Sequence, residues 1–397
     1  MKNKYILFFI LGLDVLFLLF QINELSISYY ETQVLYGTLS ALQILIKISI
    51  FFFGENDFAL RLPMLLLHIG SVLLLYKISK KYLKIKRNRL WLVLIFVLLP
   101  GTLSSAIIVN EAGLIIFGLL LLVYMYEYKN KKYLYILASV YLFPSGGFVY
   151  LYIAMLIFAL YKKDYKLFVI SLTLFSLSLV LFGINTHGTP KGHFLDSLGL
   201  YAAIFSPIVF IYLFYVLYRR YLTNDINLLW FISTITLVFS LLLSFRQKVN
   251  IEFLAPYLMV ALPLVAQTFE HSYRVRLQMF RKRYRLVFIL SLIILLINSS
   301  VIFLNKYLYY FIDEPQKHFS YKMHIAKELA RKLKSKGIYC INSNPRMEER
   351  LKFYGVTKCN KYILQEISFL NNNKDNVTIS YKNKAVYFAN VTKLNIN

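Results

Sequence analysis

The residues equipped to do chemistry are few, and they sit in short polar stretches between long apolar runs. Two carboxylates lead the set: Glu31, in Ser28-Tyr29-Tyr30-Glu31, and Glu111, in Val109-Asn110-Glu111-Ala112. A carboxylate set beside a hydroxyl takes its proton as the hydroxyl attacks. Cations complement them in Arg246-Gln247-Lys248, just ahead of Glu252, and in His187-Gly188-Thr189-Pro190-Lys191-Gly192-His193. Such cations, or a divalent metal held by carboxylates, stabilise a phosphate leaving group, and arginine grips it with two parallel bonds. The most specific local string is Gly54-Glu55-Asn56-Asp57-Phe58-Ala59-Leu60-Arg61-Leu62-Pro63, which feeds into a new apolar run. The candidate catalytic residues are therefore Glu31 and Glu111, and the candidate substrate-binding residues are Arg61, Lys191, His193, Arg246, Lys248 and Glu252. Blander roles compete: Glu111 at a helix start is stabilised by the helix dipole in any case, and outward cations also meet ordinary anionic headgroups.

A membrane-embedded frame must position these side chains. The chain is 58% hydrophobic and 16% charged, against roughly half and a quarter in soluble domains. Apolar runs at about Tyr5–Gln21, Leu62–Tyr76, Leu90–Ser105, Gly113–Tyr126, Tyr133–Phe143, Phe148–Leu160, Leu167–Phe182, Leu200–Leu217, Leu228–Leu243, Phe253–Gln267 and Leu286–Leu304 predict about eleven crossings. Leaving Ala41–Phe53 out of the count puts the basic loops Lys77–Arg89, Glu127–Lys132, Tyr161–Lys166, Arg219–Asn227 and His271–Arg285 on the cytoplasmic side, as the positive-inside tendency requires. Residues 41–53 then read as an interfacial helix with Lys47 in the headgroup region. The N-terminus is expected in the cytoplasm and the C-terminal part outside. The first run is not a cleavable leader, because no small-residue cleavage site follows it. The outward loops, Glu24–Tyr36 with Gly54–Arg61, Thr102–Glu111, Pro144–Gly147, Gly183–Gly199 and Arg246–Glu252, are expected to project side chains into a common outer cavity. Asp14 lies inside the first run with no obvious partner, and His68 reads as a hydrogen-bonded interior histidine.

Beyond about residue 304 the material changes: more charge, fewer apolar residues and frequent turn signals. His324–Lys336 and Arg346–Tyr354 predict helices, and Ile338–Ile341 and Ala385–Ala389 predict short strands. The expected fold class is thus an all-α polytopic membrane protein, residues 1–304, with a small C-terminal α/β domain, residues 305–397. Both cysteines, Cys340 and Cys359, fall in this tail, where an oxidising compartment would allow them to pair.

The net charge of +26 does not point to nucleic acid, since Lys and Arg lie mostly in short loops between spans. His187 and His193 lack matched metal-ligand spacing. No Gly-rich phosphate loop, nucleophile elbow or metalloprotease helix motif is present. A transporter should show internal repeats and broken helices at the midplane, and no convincing repeat is visible.

The string from Gly54 to Pro63, followed by a span and Tyr76-Lys77-Ile78-Ser79-Lys80-Lys81-Tyr82, resembles the segment opening the second span of GT-C glycosyltransferases, in the branch of aminoarabinose transferases and protein O-mannosyltransferases. Leu99-Pro100-Gly101, ending in Asn110-Glu111, is similar to the family's second outer loop, and Glu252-Phe253-Leu254-Ala255-Pro256-Tyr257 to a late loop-to-span segment. Ile338-Tyr339-Cys340 and Leu351-Lys352-Phe353-Tyr354 look like the soluble domain's strand and helix. The resemblance implies inverting transfer of a sugar from a polyprenyl-phosphate donor to an envelope acceptor (lipid A, a glycan or a protein), on the periplasmic face of a bacterial inner membrane. It maps the family's first-loop acid onto Glu31 and its second-loop acid onto Glu111. Three departures stand out: the family's Asp-Glu pair is Tyr30-Glu31 here, its His-Pro-Pro element is replaced by Gly37-Thr38-Leu39-Ser40, and an expected lysine gives way to Pro144-Ser145-Gly146-Gly147. These leave a rival reading, a non-catalytic scaffold that binds a lipid-linked glycan or a partner protein.

Overall fold

The structure, a computed structural model, describes residues 2–183, 192–367, 376–381 and 384–393. Helix α1 (Lys2–Glu24) carries the first apolar run, and α2 (Tyr29–Tyr36), α3 (Ala41–Phe53) and α4 (Asp57–Tyr82) follow. The chain continues through α5 (Lys86–Leu98), α6 (Pro100–Ile107), α7 (Glu111–Tyr128), α8 (Lys131–Val140), α9 (Val149–Lys162) and α10 (Tyr165–Phe182). Then come α11 (Phe194–Phe205), α12 (Pro207–Leu222), α13 (Leu228–Ser244), α14 (Ile251–Met259), α15 (Leu262–Val275) and α16 (Gln278–Phe303). Short 3-10 turns lead to α17 (Ala326–Ser335), α18 (Pro345–Phe353) and strands β1 (Tyr362–Glu366), β2 (Asn376–Tyr381) and β3 (Lys384–Lys393). Among the described residues, α1, α4, α7, α10 and α16 are each long and apolar enough to cross a bilayer, and bent helix pairs raise the total to as many as 9. This is a polytopic helical membrane protein with a small C-terminal sheet.

Three runs expected as continuous spans are broken. Helices α5 and α6 meet at 60°, α11 and α12 at 105°, and α14 and α15 at 41°. The first two breaks fall on the residue before a proline, where the ring disfavours helical backbone. Leu99 is extended at φ −63°, ψ 130°, and Ser206 sits at φ 68°, ψ 140°. The Thr102 hydroxyl repairs part of the first break by donating to the Phe96 carbonyl, for which Pro100 has no N–H. A third proline, Pro63, lies within α4 and has no N–H for the Ala59 carbonyl. Ser49 on α3 supplies the missing donor at 2.6 Å.

Contacts divide the chain into two compact units. One comprises Met1–Leu16 with Met64–Ser299, the other Phe17–Pro63 with Ser300–Asn397. The first polar stretch and α3, grouped by sequence with the spans, therefore pack with the C-terminal part. Polar bonds described below account for this.

The first unit is held by an apolar core running through α4–α16, with Tyr152, Phe158, Tyr201 and Tyr257 among its large buried side chains. In lipid such association rests on close packing and interhelical hydrogen bonds. Asp14 finds its partner here, since His68 Nε2 lies 2.8 Å from Asp14 Oδ2 and both side chains are buried. Pairing lowers the cost of ionisable groups at membrane depth.

In the second unit the strands order as β1-β3-β2, both pairings antiparallel, with an irregularity between Ile379 and Ser380. Leu329, Leu333 and Leu351 of α17 and α18 share a core with Val377, Tyr387 and Val391 of the strands. The expected strand at Ala385–Ala389 falls in the first half of β3. The one expected at Ile338–Ile341 is reduced to an isolated bridge between Cys340 and Thr357. Cys340 is joined to Cys359 by a disulfide.

A buried histidine cluster lies in the same unit. His324 Nδ1 is 2.9 Å from Tyr309 Oη, and its Nε2 has no hydrogen-bond partner among the described residues. His318 Nε2 meets the Asn305 carbonyl at 2.9 Å, and its Nδ1 accepts from the Ser320 N–H. Burial, with Lys306 and His318 nearby, holds the His324 imidazole down at about 3. Between pH 6.5 and 3 the unfolded chain therefore binds a proton that the folded chain refuses. Stability should fall as pH drops through that window, by about 1.4 kcal/mol per unit from this group, and show no dependence on it above. The thermal midpoint of the wild type is expected to drop between pH 6.5 and 4.5 more steeply than that of His324→Gln. Parallel curves would rule His324 out as the cause.

Candidate functional site

In the first unit, two carboxylates meet at helix N-termini. Asn110 caps α7, its side chain accepting from the Gly113 N–H at 3.0 Å, so Glu111 is the first helical residue. Asn250 caps α14 in the same way through the Glu252 N–H at 3.2 Å. The Glu111 backbone N–H donates to Glu252 Oε1 at 3.2 Å, so the second carboxylate sits on the α7 N-terminus, where the helix dipole favours negative charge. Glu111 Oε2 accepts a hydrogen bond from Ser145 Oγ. Among the described residues, no hydrogen bond engages Glu111 Oε1 or Glu252 Oε2, and both side chains are half-buried.

The Ser145 turn is itself fixed. Ser145 Oγ accepts from the Gly147 N–H at 3.0 Å, and the Gly147 carbonyl accepts from Tyr257 Oη at 2.6 Å. Tyr257, fully buried on α14, also accepts from the Leu151 N–H at 3.1 Å. A side chain at position 147 would run into Ile115 Cδ1, so glycine is what lets this turn lie against α7. Glu111 is thus held by a serine, the serine by a turn, and the turn by a tyrosine from the helix that carries Glu252. A carboxylate oriented by one oxygen and unengaged at the other is suited to accept a proton from a hydroxyl.

The candidate cations adjoin this end of the unit. Helix α13 ends at Ser244, and the exposed Arg246 and Lys248 lie in the link from α13 to α14. The His193 N–H donates to the Ser244 carbonyl at 2.8 Å, and Phe194 stacks on Phe245 with centroids 4.7 Å apart. His193 Nδ1 lies 3.1 Å from Asp196 Oδ2. The His193 and Arg246 segments are therefore joined. Lys191, like His187, lies outside the described residues. Among the described residues no group of three or more His, Cys, Asp or Glu side chains gathers to hold a metal.

Glu31 and Arg61 belong to the second unit and pair with each other. Ser28 and Glu31 form a capping box at the start of α2, with the Ser28 N–H donating to Glu31 Oε2 at 2.8 Å. Arg61 Nε and Nη2 each reach one carboxylate oxygen of Glu31 at 2.9 Å. Its remaining donors go to the carbonyls of Ile22 (3.0 Å), Leu25 (2.8 Å) and Ser26 (2.9 Å). All five guanidinium donors are thus engaged by the protein, and both side chains are fully buried. Arg350 of α18 extends the arrangement by donating to the Ile27 carbonyl at 2.9 Å. Tyr354 accepts from the Ile27 N–H at 2.8 Å and donates to Asp57 Oδ1 at 2.6 Å, while Lys327 pairs with Asp57 Oδ2 at 2.8 Å. These bonds fasten the first polar stretch to the C-terminal part.

Ser145, Tyr257 and Arg350 were not legible as site residues in the sequence. Only the Pro144-Ser145-Gly146-Gly147 turn signal, read as the loss of a lysine, pointed to the first of them.

No family model matches this sequence, and no curated protein matches it. The fold is similar to the crystal structure of ArnT from Cupriavidus metallidurans in the apo state. The TM-score is 0.56 at 11% identity, over 90% of this chain and 86% of that one. At that identity the likeness establishes the fold, a GT-C-like polytopic membrane architecture with a small C-terminal domain.

Proposed function

We propose that the protein is a glycosyltransferase that moves a sugar from a polyprenyl-phosphate-linked donor to an envelope acceptor: lipid A, a glycan or a protein. The observation that carries this reading is Glu111, oriented through Oε2 by Ser145, unengaged at Oε1 among the described residues, and set beside Glu252. Glu111 takes the proton of the acceptor hydroxyl as its oxygen bonds to the anomeric carbon. The bond from that carbon to the phosphate oxygen breaks, and the electron pair leaves with the polyprenyl phosphate. Arg246 and Lys248, with His193 and Lys191 as further candidates, hold that phosphate. Glu252 fixes α14 to the start of α7, and Glu31 with Arg61 acts as a positioning pair that shapes the first polar stretch. The Cys340–Cys359 disulfide supports placing the C-terminal part in an oxidising compartment, the periplasm. The basic loops support a cytoplasmic N-terminus in the inner membrane.

The engagement of Glu31 favours a second reading. The acid that the resemblance puts at the reaction centre is taken up by Arg61 and Ser28, as suits a scaffold that binds a lipid-linked glycan without turning it over. Intact masses of lipid A and envelope glycoproteins distinguish the two, compared in cells with no copy, the wild type, Glu111→Gln or Glu31→Gln at equal expression. A sugar-sized mass present with the wild type and lost with Glu111→Gln is the expected result. If deletion gives a phenotype that both Gln variants fully restore, the scaffold reading replaces the enzyme.

A further inference from the structure

The turn between α15 and α16 is strongly basic together with the helix ends that flank it. From His271 to Arg285 this segment carries Arg274, Arg276, Arg281, Lys282, Arg283 and Arg285 and no acidic residue. Arg274 pairs with Glu270, but among the described residues no ion pair engages the other five. The turn is built rather than loose. Arg281 donates through Nε to the Arg276 carbonyl at 2.8 Å, Arg276 lies over the Tyr284 ring at 4.3 Å, and Arg285 donates to Tyr273 Oη at 2.8 Å.

Two observations say what covers this surface. The same turn exposes large apolar side chains between its cations: Val275 at 73%, Leu277 at 69% and Met279 at 77%. And α16, which leaves it, has a mean hydropathy of 2.8 over its spanning window with only 11% of that window buried inside the protein. A helix so apolar and so little covered is bathed in lipid, so its basic N-terminal end lies at the bilayer surface. Water or a nucleic acid would satisfy the cations and leave the apolar side chains stranded. A bilayer rim with anionic headgroups accepts both.

We propose that the α15–α16 turn is a binding site for anionic phospholipid, with Arg281, Lys282 and Arg283 facing headgroup phosphates and Leu277 and Met279 entering the acyl boundary. Helix α5 supplies a reporter. Trp91 packs edge-on against Phe288 of α16, centroids 5.7 Å apart, and is 39% exposed, whereas Trp230, the other tryptophan of the sequence, is 7% exposed. Arg87, one helical turn before Trp91, adds a cation on the same face.

The test uses the full chain in vesicles containing brominated phosphatidylglycerol or brominated phosphatidylcholine, with Trp91→Phe giving the background from Trp230. Quenching of Trp91 should favour phosphatidylglycerol by about fivefold or more, given roughly 1 kcal/mol per surface cation. The preference should approach unity in the variant Arg281→Gln, Lys282→Gln, Arg283→Gln, and for the wild type it should shrink on raising salt from about 0.02 M to about 0.5 M. The salt series stands on its own if the triple variant fails to fold. Equal quenching by the two lipids in the wild type overturns the proposal and turns attention to an acidic protein partner. A preference that survives both the substitutions and the salt overturns it as well.

Discussion

Replacing Arg61 by Met is expected to lower stability by about 3–5 kcal/mol, the range for removing one partner of a buried ion pair. The substitution leaves the Glu31 carboxylate buried without its guanidinium partner, and strips the Ile22, Leu25 and Ser26 carbonyls of their donors. Burying a polar group without a partner is costly in itself. Part of the loss should return in the double variant Arg61→Met, Glu31→Met, which removes the stranded charge along with its missing partner. Thermal unfolding of the three variants beside the wild type gives the coupling directly. A single variant within about 1 kcal/mol of wild type would mean that the pair is dispensable for holding the first polar stretch, contrary to its burial.

The second large effect is on rate. Glu111→Gln keeps the size of the side chain and an oxygen to accept from Ser145, but it cannot take a proton. Transfer should fall by about 10²–10⁴, the usual contribution of a positioned general base, while folding is preserved. Ser145→Ala removes the hydrogen bond to Glu111 and the one from the Gly147 N–H but leaves the carboxylate, so a loss nearer tenfold is expected. Initial rates of polyprenyl phosphate release separate the two. If Glu111→Gln keeps more than a tenth of the wild-type rate, another group is the base.

How much of this was legible in the sequence depends on whether a feature is local. Apolar runs mark membrane helices by their own composition, so the fold class followed from α4, α7, α10 and α16 alone. The breaks at Leu99 and Ser206 were also local, each signalled by the next proline, yet uninterrupted hydropathy across them read as single spans. Pairings across the chain leave no such mark. Arg61 stood out by its surrounding string, but nothing nearby says that its donors turn back to Glu31 and to carbonyls near the end of α1. Asp14 looked unpartnered because His68 lies on another helix. The same holds for the site. Glu111 and Glu252 were found as acids at the ends of spans, whereas the Ser145 turn that orients Glu111 depends on Gly147 fitting beside Ile115. Strands β1 and β2 escaped notice because a short strand in a small sheet carries little periodicity of its own.

The central claim is sugar transfer from a lipid phosphate, and the most direct measurement follows the donor. Purified full-length protein in liposomes would be given a panel of polyprenyl-phosphate-linked sugars with extracted envelope lipids as acceptor, and free polyprenyl phosphate counted by mass spectrometry. Release by the wild type, matched by a sugar-sized gain on the acceptor and lost with Glu111→Gln, is the expected result. Donor that is bound by the wild type and recovered intact across the whole panel would contradict transfer and support a glycan-binding scaffold in its place.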